Sequence, residues 1–172
     1  MQDEETPDEA GGFRDDAPWT PLHPDQVKVL RLRFAIVGLI PVIAAAALEV
    51  GGLMRDMGAP QGLVPGVVAL IAAVAVLWMP GRRYRAWGYR ESADELFVRH
   101  GLFKRVTTVI PFGRVQHIDI AQGPIERGYG LATLILHTAG TRSAAVPLPG
   151  LAHETAEAMR ARIRAQIRQD LV

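Results

Sequence analysis

The chain has 172 residues, 49% of them hydrophobic, no cysteine, and a formal net charge of +1. The lack of cysteine excludes a disulfide framework, a thiol nucleophile and a cysteine-ligated metal. The small net charge hides three unlike blocks. Residues 1–17 carry seven acidic groups against Arg14, residues 18–81 four basic and three acidic, and residues 82–172 fourteen basic and eight acidic. They read as an acidic tail (1–17), an entry segment with a membrane hairpin (18–81) and a basic cytoplasmic domain (82–172).

The acidic tail has almost nothing to bury and is expected to be a disordered, solubilising segment. An arm folding back on the basic domain is the alternative. Next comes a proline-punctuated entry, Trp19-Thr-Pro-Leu-His-Pro24. Asp25 is placed to cap a helix that runs through Val27, Val29 and Leu30 straight into the membrane.

Two apolar runs follow, Phe34 to Met54 and Gly62 to Met79. A helix needs about 18–20 apolar residues to cross a hydrocarbon core. The runs therefore predict spans at about 33–53 and 62–80, joined by the turn Arg55 to Gln61. A cleaved signal is disfavoured by the acidic tail before the first run and the full-length second run. A buried hairpin in a soluble protein is disfavoured because too little chain follows to wrap it.

Lys28, Arg31 and Arg33 precede the first run, and Arg82, Arg83 and Arg85 follow the second. Positive residues stay inside, so both termini are expected in the cytoplasm. Trp19, Trp78, Tyr84 and Trp87 fall near the same inner interface. Glu49 comes sixteen residues after Arg33 and is expected to reach the outer headgroups rather than line an ion path. Ala44 to Ala47, Ala69, Ala73 and Gly62-x-x-x-Gly66 suit close helix packing.

The remaining chain reads as β until its end. Strands are expected at Arg85–Arg90, Glu95–His100, Arg105–Ile110, Val115–Ala121, Leu131–Thr138 and Ser143–Leu148, separated by Gly, Pro and polar turns. Gly123, Gly128 and Gly130 read as turn glycines. Leu151 to Gln169 shows helical spacing in Ala152, Ala156, Met159, Ile163 and Ile167. An antiparallel meander curled into a barrel or sandwich, with this helix as its plug, follows.

Strands closed by one capping helix resemble a pleckstrin-homology-like (PH-like) domain, which has about seven. The stretches Ile110-Pro-Phe-Gly-Arg-Val-Gln116, Gly123-Pro-Ile-Glu-Arg127, Tyr129-Gly-Leu-Ala132 and Thr138-Ala-Gly140, with the Leu22-His-Pro24 entry, resemble the bacterial PH-domain membrane proteins called YdbS-like. The resemblance covers roughly residues 18–170. It implies a two-helix transmembrane hairpin followed by an all-β PH-like domain capped by a C-terminal helix. It also implies a bacterial inner-membrane location and a membrane-anchored adaptor or envelope-stress component.

No enzyme is expected. The five histidines form no metal-ligand spacing, and there is no Gly-x-Ser-x-Gly elbow or Walker-type loop. His117 and Asp119 share one strand face without an identifiable nucleophile, which reads as an exposed polar face. No cofactor, small-molecule substrate or nucleic acid is expected; the domain's positive charge is spread out, and a tethered domain meets the anionic leaflet first.

The candidate membrane-interface residues are Trp19, Arg31, Arg33, Trp78, Arg82, Arg83, Arg85 and Trp87. Arg99, His100, Lys104 and Arg105 surround Gly101-Leu-Phe103, and at this turn Leu102, Phe103, Lys104 and Arg105 are candidates for lipid or partner contact. Arg114 and Arg127 are candidates to pair with acidic loops or a partner. The favoured partner is another membrane protein or a second copy of the chain. An anionic-lipid sensor is the alternative, and a subunit packed through its hairpin into a larger complex is a lower one.

Overall fold

The computed structural model describes residues 18–52, 60–139 and 145–169. The acidic tail, most of the turn between the apolar runs and the start of the strand expected at Ser143 lie outside them.

The two apolar runs form helices α1 (Gln26–Val50) and α2 (Leu63–Arg85), both long and apolar enough to cross a membrane. They pack on each other along one side. A Cβ added at Gly38 would lie 3.4 Å from the Ala72 Cβ, and Ala45 is buried. Val37, Ile40, Leu70, Ile71 and Leu77 point outward and are more than half exposed. In water this would be a large apolar patch; in a bilayer it is the lipid-facing surface. The close approach is at Gly38 and Ala72, not at Gly62-x-x-x-Gly66, since a Cβ at either of those glycines meets nothing within 4 Å among the described residues. Gly62 instead adopts a left-handed φ of +83° at the start of α2. Its N–H donates to the Glu49 carboxylate. The one acid inside the first apolar helix thus sits at the positive end of the second, where the helix dipole favours it.

Entry into α1 differs from expectation in one detail. Asp25 already has helical φ and ψ and makes no side-chain cap. Its carboxylate meets Lys28 Nζ at 2.6 Å instead. This contact holds the Asp25 carboxyl below the usual carboxylate range.

Beyond the hairpin, β1 (Gly88–Glu91), β2 (Glu95–His100) and β3 (Val106–Pro111) form one antiparallel sheet in that order. A single 3-10 turn leads to the second sheet, β4 (Val115–Ala121), β5 (Leu131–Thr138) and β6 (Ala145–Ala152). A short helix, α3 (Pro124–Gly128), lies between β4 and β5, and α4 (His153–Gln169) closes the chain. The result is the PH-like sandwich with a capping helix. Its core joins Leu96, Val98 and Ile110 of one sheet with Ile118, Leu134, Leu136 and Leu148 of the other. Ala156, Met159 and Ile163 of α4 are at most 1% exposed and plug it. Each large side chain so buried is worth about 1.5–3 kcal/mol.

Three boundaries moved. The helix expected to stop before Arg85 includes it, because Arg82, Arg83 and Arg85 suit its negative C-terminal end. The strand then starts at Gly88. β6 runs on through Pro147 and Pro149 to Ala152, where proline is tolerated because β6 is an edge strand. Leu151 and Ala152 therefore pair with Ala132 and Leu131 rather than opening the last helix. The glycine-rich stretch read as a turn contains α3, which Pro124 at its first position and Glu126 in its first turn favour. Among the described residues there are six strands. In place of a seventh, Thr20 pairs antiparallel with Tyr89 on the edge of β1.

Candidate membrane-surface site

The site is built where the start of α1 and the end of α2 meet the sandwich. On one side the joint is filled. The Thr20 N–H donates to the Tyr89 carbonyl at 2.8 Å, and the Tyr89 N–H returns a bond to the Thr20 carbonyl at 3.0 Å. Leu22, only 2% exposed, belongs to the domain core although it precedes the first apolar helix. The Tyr84 hydroxyl donates to the Leu22 carbonyl at 2.9 Å. The His23 N–H donates to the Gly150 carbonyl at 2.8 Å. Gly150 has a φ of +69°, and a Cβ there would strike the Gln26 side chain at 2.7 Å. Only glycine allows that approach.

The same side carries a buried charge. Glu126, 5% exposed, accepts the Gly123 N–H at 2.8 Å and the Thr133 hydroxyl at 3.2 Å. Arg33, where the first predicted span begins, reaches it at 3.1 Å. Three polar partners leave this carboxyl group satisfied although it is buried.

On the other side the joint is open. The end of α2 and the turn between β2 and β3 enclose a cavity of about 330 Å³, lined by Arg82, Arg85, Arg99 and Arg105 with Ala86, Gly101 and Leu102. Among the described residues none of these four arginines is in an ion pair. A second cavity of about 320 Å³ adjoins it through Ala86, Gly101 and Leu102. Its further lining is mostly apolar: Phe34, Met79, Trp87 and Phe103, with Arg83 and His100. Gly101 makes the turn possible. Its φ is +114°, and a Cβ there would fall 1.9 Å from the Lys104 carbonyl oxygen.

The expected interface aromatics are held in place by cations and rings. Arg82 lies 4.4 Å over Trp78, which is 64% exposed on α2. Trp19 rests against the domain, with Arg99 at 4.4 Å and Arg90 at 5.3 Å from its ring. Trp87 packs on the core and stacks on His100 at 5.1 Å. Arg83 lies 5.9 Å from the Phe34 ring. Arg31 is exposed on α1. At the tip, Leu102 is partly buried, whereas Phe103 is 97% exposed and Lys104 and Arg105 are exposed.

Arg114 and Arg127 are exposed and in no ion pair among the described residues. The pairs across the domain are Arg33 with Glu126 and Arg162 with Glu91, the latter bidentate at 3.0 and 2.8 Å. The charge-assisted bonds it donates to Glu91 push the Arg162 guanidinium further up. Sequence reasoning passed over Glu126 and Arg33 as its partner, and set Arg99 among the basic groups of the turn after β2 without bringing it to the end of α2. Gly123-Pro-Ile-Glu126 carried the local signal, since proline and then glutamate after a cap mark a helix start. Nothing local could announce the contact to Arg33.

On the outer face of the second sheet Asp119 bridges two histidines, at 2.7 Å from His117 and 3.0 Å from His137. All three are partly or well exposed. Among the described residues no group of three or more such side chains is placed to hold a metal ion.

The architecture and the sequence agree with known proteins. A family model described as bacterial PH domain matches residues 34–167, which takes in α1 from Phe34, all of α2 and the six strands. The chain belongs to the bacterial PH-domain family. It is 31% identical over 146 residues to a transmembrane protein, YdbS, of Bacillus subtilis (strain 168). That match spans 83% of this chain and 89% of the relative. No solved structure matches. The chain is therefore a membrane protein with a PH-like domain, in a family not known for catalysis.

Proposed function

We propose that this PH-like protein is a non-catalytic adaptor of the inner membrane, with both termini in the cytoplasm. Its domain serves as a fixed platform on which a second membrane protein docks, in envelope stress or membrane homeostasis. The observation that carries this reading is the fastening of the domain. Thr20 and Leu22 precede the first span yet are part of the sandwich, and Arg33 inside the span is paired to buried Glu126. A domain held at both ends of a hairpin works at the bilayer surface and meets partners that are there too. The surface it offers is β3, at the edge of its sheet, with Val106 and Val109 each 37% exposed. A strand edge with unpaired backbone groups is a template for another strand.

The test is affinity purification of the tagged full-length chain from mild-detergent native membranes, with quantitative mass spectrometry against an empty tag. A near-stoichiometric partner is expected, lost from the Val106→Lys/Val109→Lys variant. No enriched protein, or one that ignores the variant, sinks the adaptor. Topology is tested separately: a cysteine at Gln61 should label from outside the cell, and labelling only from the cytoplasm reverses the orientation.

A second reading, an anionic-lipid sensor, is favoured by the four arginines of the open cavity, none in an ion pair among the described residues.

A further inference from the structure

We propose that the open side of the joint is a binding site for one anionic phospholipid of the inner leaflet. Its phosphate sits among Arg82, Arg85, Arg99 and Arg105, and the upper part of its acyl chains lies in the adjoining apolar cavity. The proposal deepens the lipid-sensing reading and rests on the orientation given above.

Three observations carry it. The first is convergence of charge from separate elements. Orientation in the membrane accounts for the arginines that end α2, since basic residues flank spans on the inner side. It does not account for Arg99 and Arg105, which come from β2 and the following turn yet line the same cavity. Guanidinium groups gathered with no counter-charge among the described residues repel one another, and an oxyanion relieves this while matching their planar forks.

The second is the continuity of unlike cavities. The basic cavity and the apolar one share Ala86, Gly101 and Leu102. A small free anion would fill only the basic half. The acidic tail of the chain would match the charge, but its large apolar residues are only Met1 and Phe13. A phospholipid has a phosphate and hydrocarbon joined at the spacing of one glycerol, so it uses both halves.

The third is position. The crevice opens at the end of the second apolar helix, two turns or less from Trp78 and beside Phe103, which is 97% exposed. Basic groups at that level meet the headgroups of the leaflet, and an uncovered aromatic ring there has hydrocarbon to enter.

The experiment is a native mass spectrometry titration of the delipidated full-length protein in detergent. Dioleoylphosphatidylglycerol is compared with dioleoylphosphatidylcholine and with glycerol phosphate. We expect the first phosphatidylglycerol to bind about fivefold or more tighter than phosphatidylcholine, whose choline ammonium cancels the charge of the same phosphate and is repelled by the arginines. Arg99→Gln/Arg105→Gln should remove that preference, while Arg127→Gln/Arg164→Gln, an equal loss of charge elsewhere, should leave it. Leu102→Asn should weaken phosphatidylglycerol but not glycerol phosphate. Unchanged melting of each variant shows that it is folded. Equal binding of the two lipids overturns the proposal, as does a preference that survives the Arg99/Arg105 variant. Glycerol phosphate binding as tightly as phosphatidylglycerol makes this a small-anion site and overturns it as well. The titration involves no partner and no cell, so its failure leaves the adaptor and topology tests standing, and theirs does not decide it.

Discussion

The two sides of the joint use the same residue type to opposite ends. Where the first helix enters, Arg33 is matched by Glu126, Leu22 fills the core, and backbone bonds run from Thr20 and His23 into the domain. Where the second helix leaves, Arg82, Arg85, Arg99 and Arg105 surround a cavity with no acid in its wall. One side is therefore a structural weld, and the other an open, positively charged crevice. A cation matched inside the chain has its field spent there. Cations gathered without a match keep their field for something outside the chain.

If the first side is a weld, breaking it should cost the most. Leu22→Ala should destabilise the domain by about 2–4 kcal/mol, as large-to-small core changes do, in denaturant melts of the full-length protein in detergent. An effect below that of a surface change would show that the entry segment only lies on the domain. Gly150→Ala is expected to follow at about 2–3 kcal/mol, because the left-handed backbone and the Gln26 clash act together. Gly101→Ala should act differently. It should distort the turn on the open side and raise hydrogen exchange across β2 and β3, leaving exchange at Thr20–Tyr89 unchanged. Equal loosening at both places would mean that the two sides are not independent.

Smaller changes sharpen the contrast. Glu126→Gln should cost about 1–2 kcal/mol, since the buried partner of Arg33 is lost but its amide and hydroxyl donors keep an oxygen. Arg162→Ala removes a largely exposed pair on the far side and should cost only about 0.5 kcal/mol. Asp25 gives the smallest effect, visible only in acid. Its folded carboxyl is held low chiefly by the Lys28 contact. Its contribution is therefore present above the unfolded carboxylate pKa and lost as pH falls through the folded one. Asp25→Asn should flatten that part of the acid limb of a pH–stability curve.

Local pattern was enough for much of the fold. Five of the six strands were placed within a few residues, because β-branched runs bounded by Gly and Pro decide their own ends. The last strand began as a local pattern at Ser143 but ended in tertiary pairing: Leu151 and Ala152, helix-like by spacing, found partners in Ala132 and Leu131. The tip residues Leu102 to Arg105 were legible as apolar groups framed by charge. Arg99 was legible as a charge, but not as a wall of the same cavity as Arg82, since that depends on where a strand lies relative to a helix seventeen residues earlier.

Runs and periods alone determined that two helices are apolar all round, that a β domain follows, and that Ala156, Met159 and Ile163 face its core. These are properties of contiguous residues, set by hydrophobic patterning and backbone sterics. Only the tertiary structure decided that Leu22 belongs to the domain it precedes, that Glu49 answers the start of α2, and that Arg33 closes on Glu126 while four other arginines stay open. Those outcomes depend on distance between residues far apart in the chain, and charge pairs and core contacts form by proximity in space.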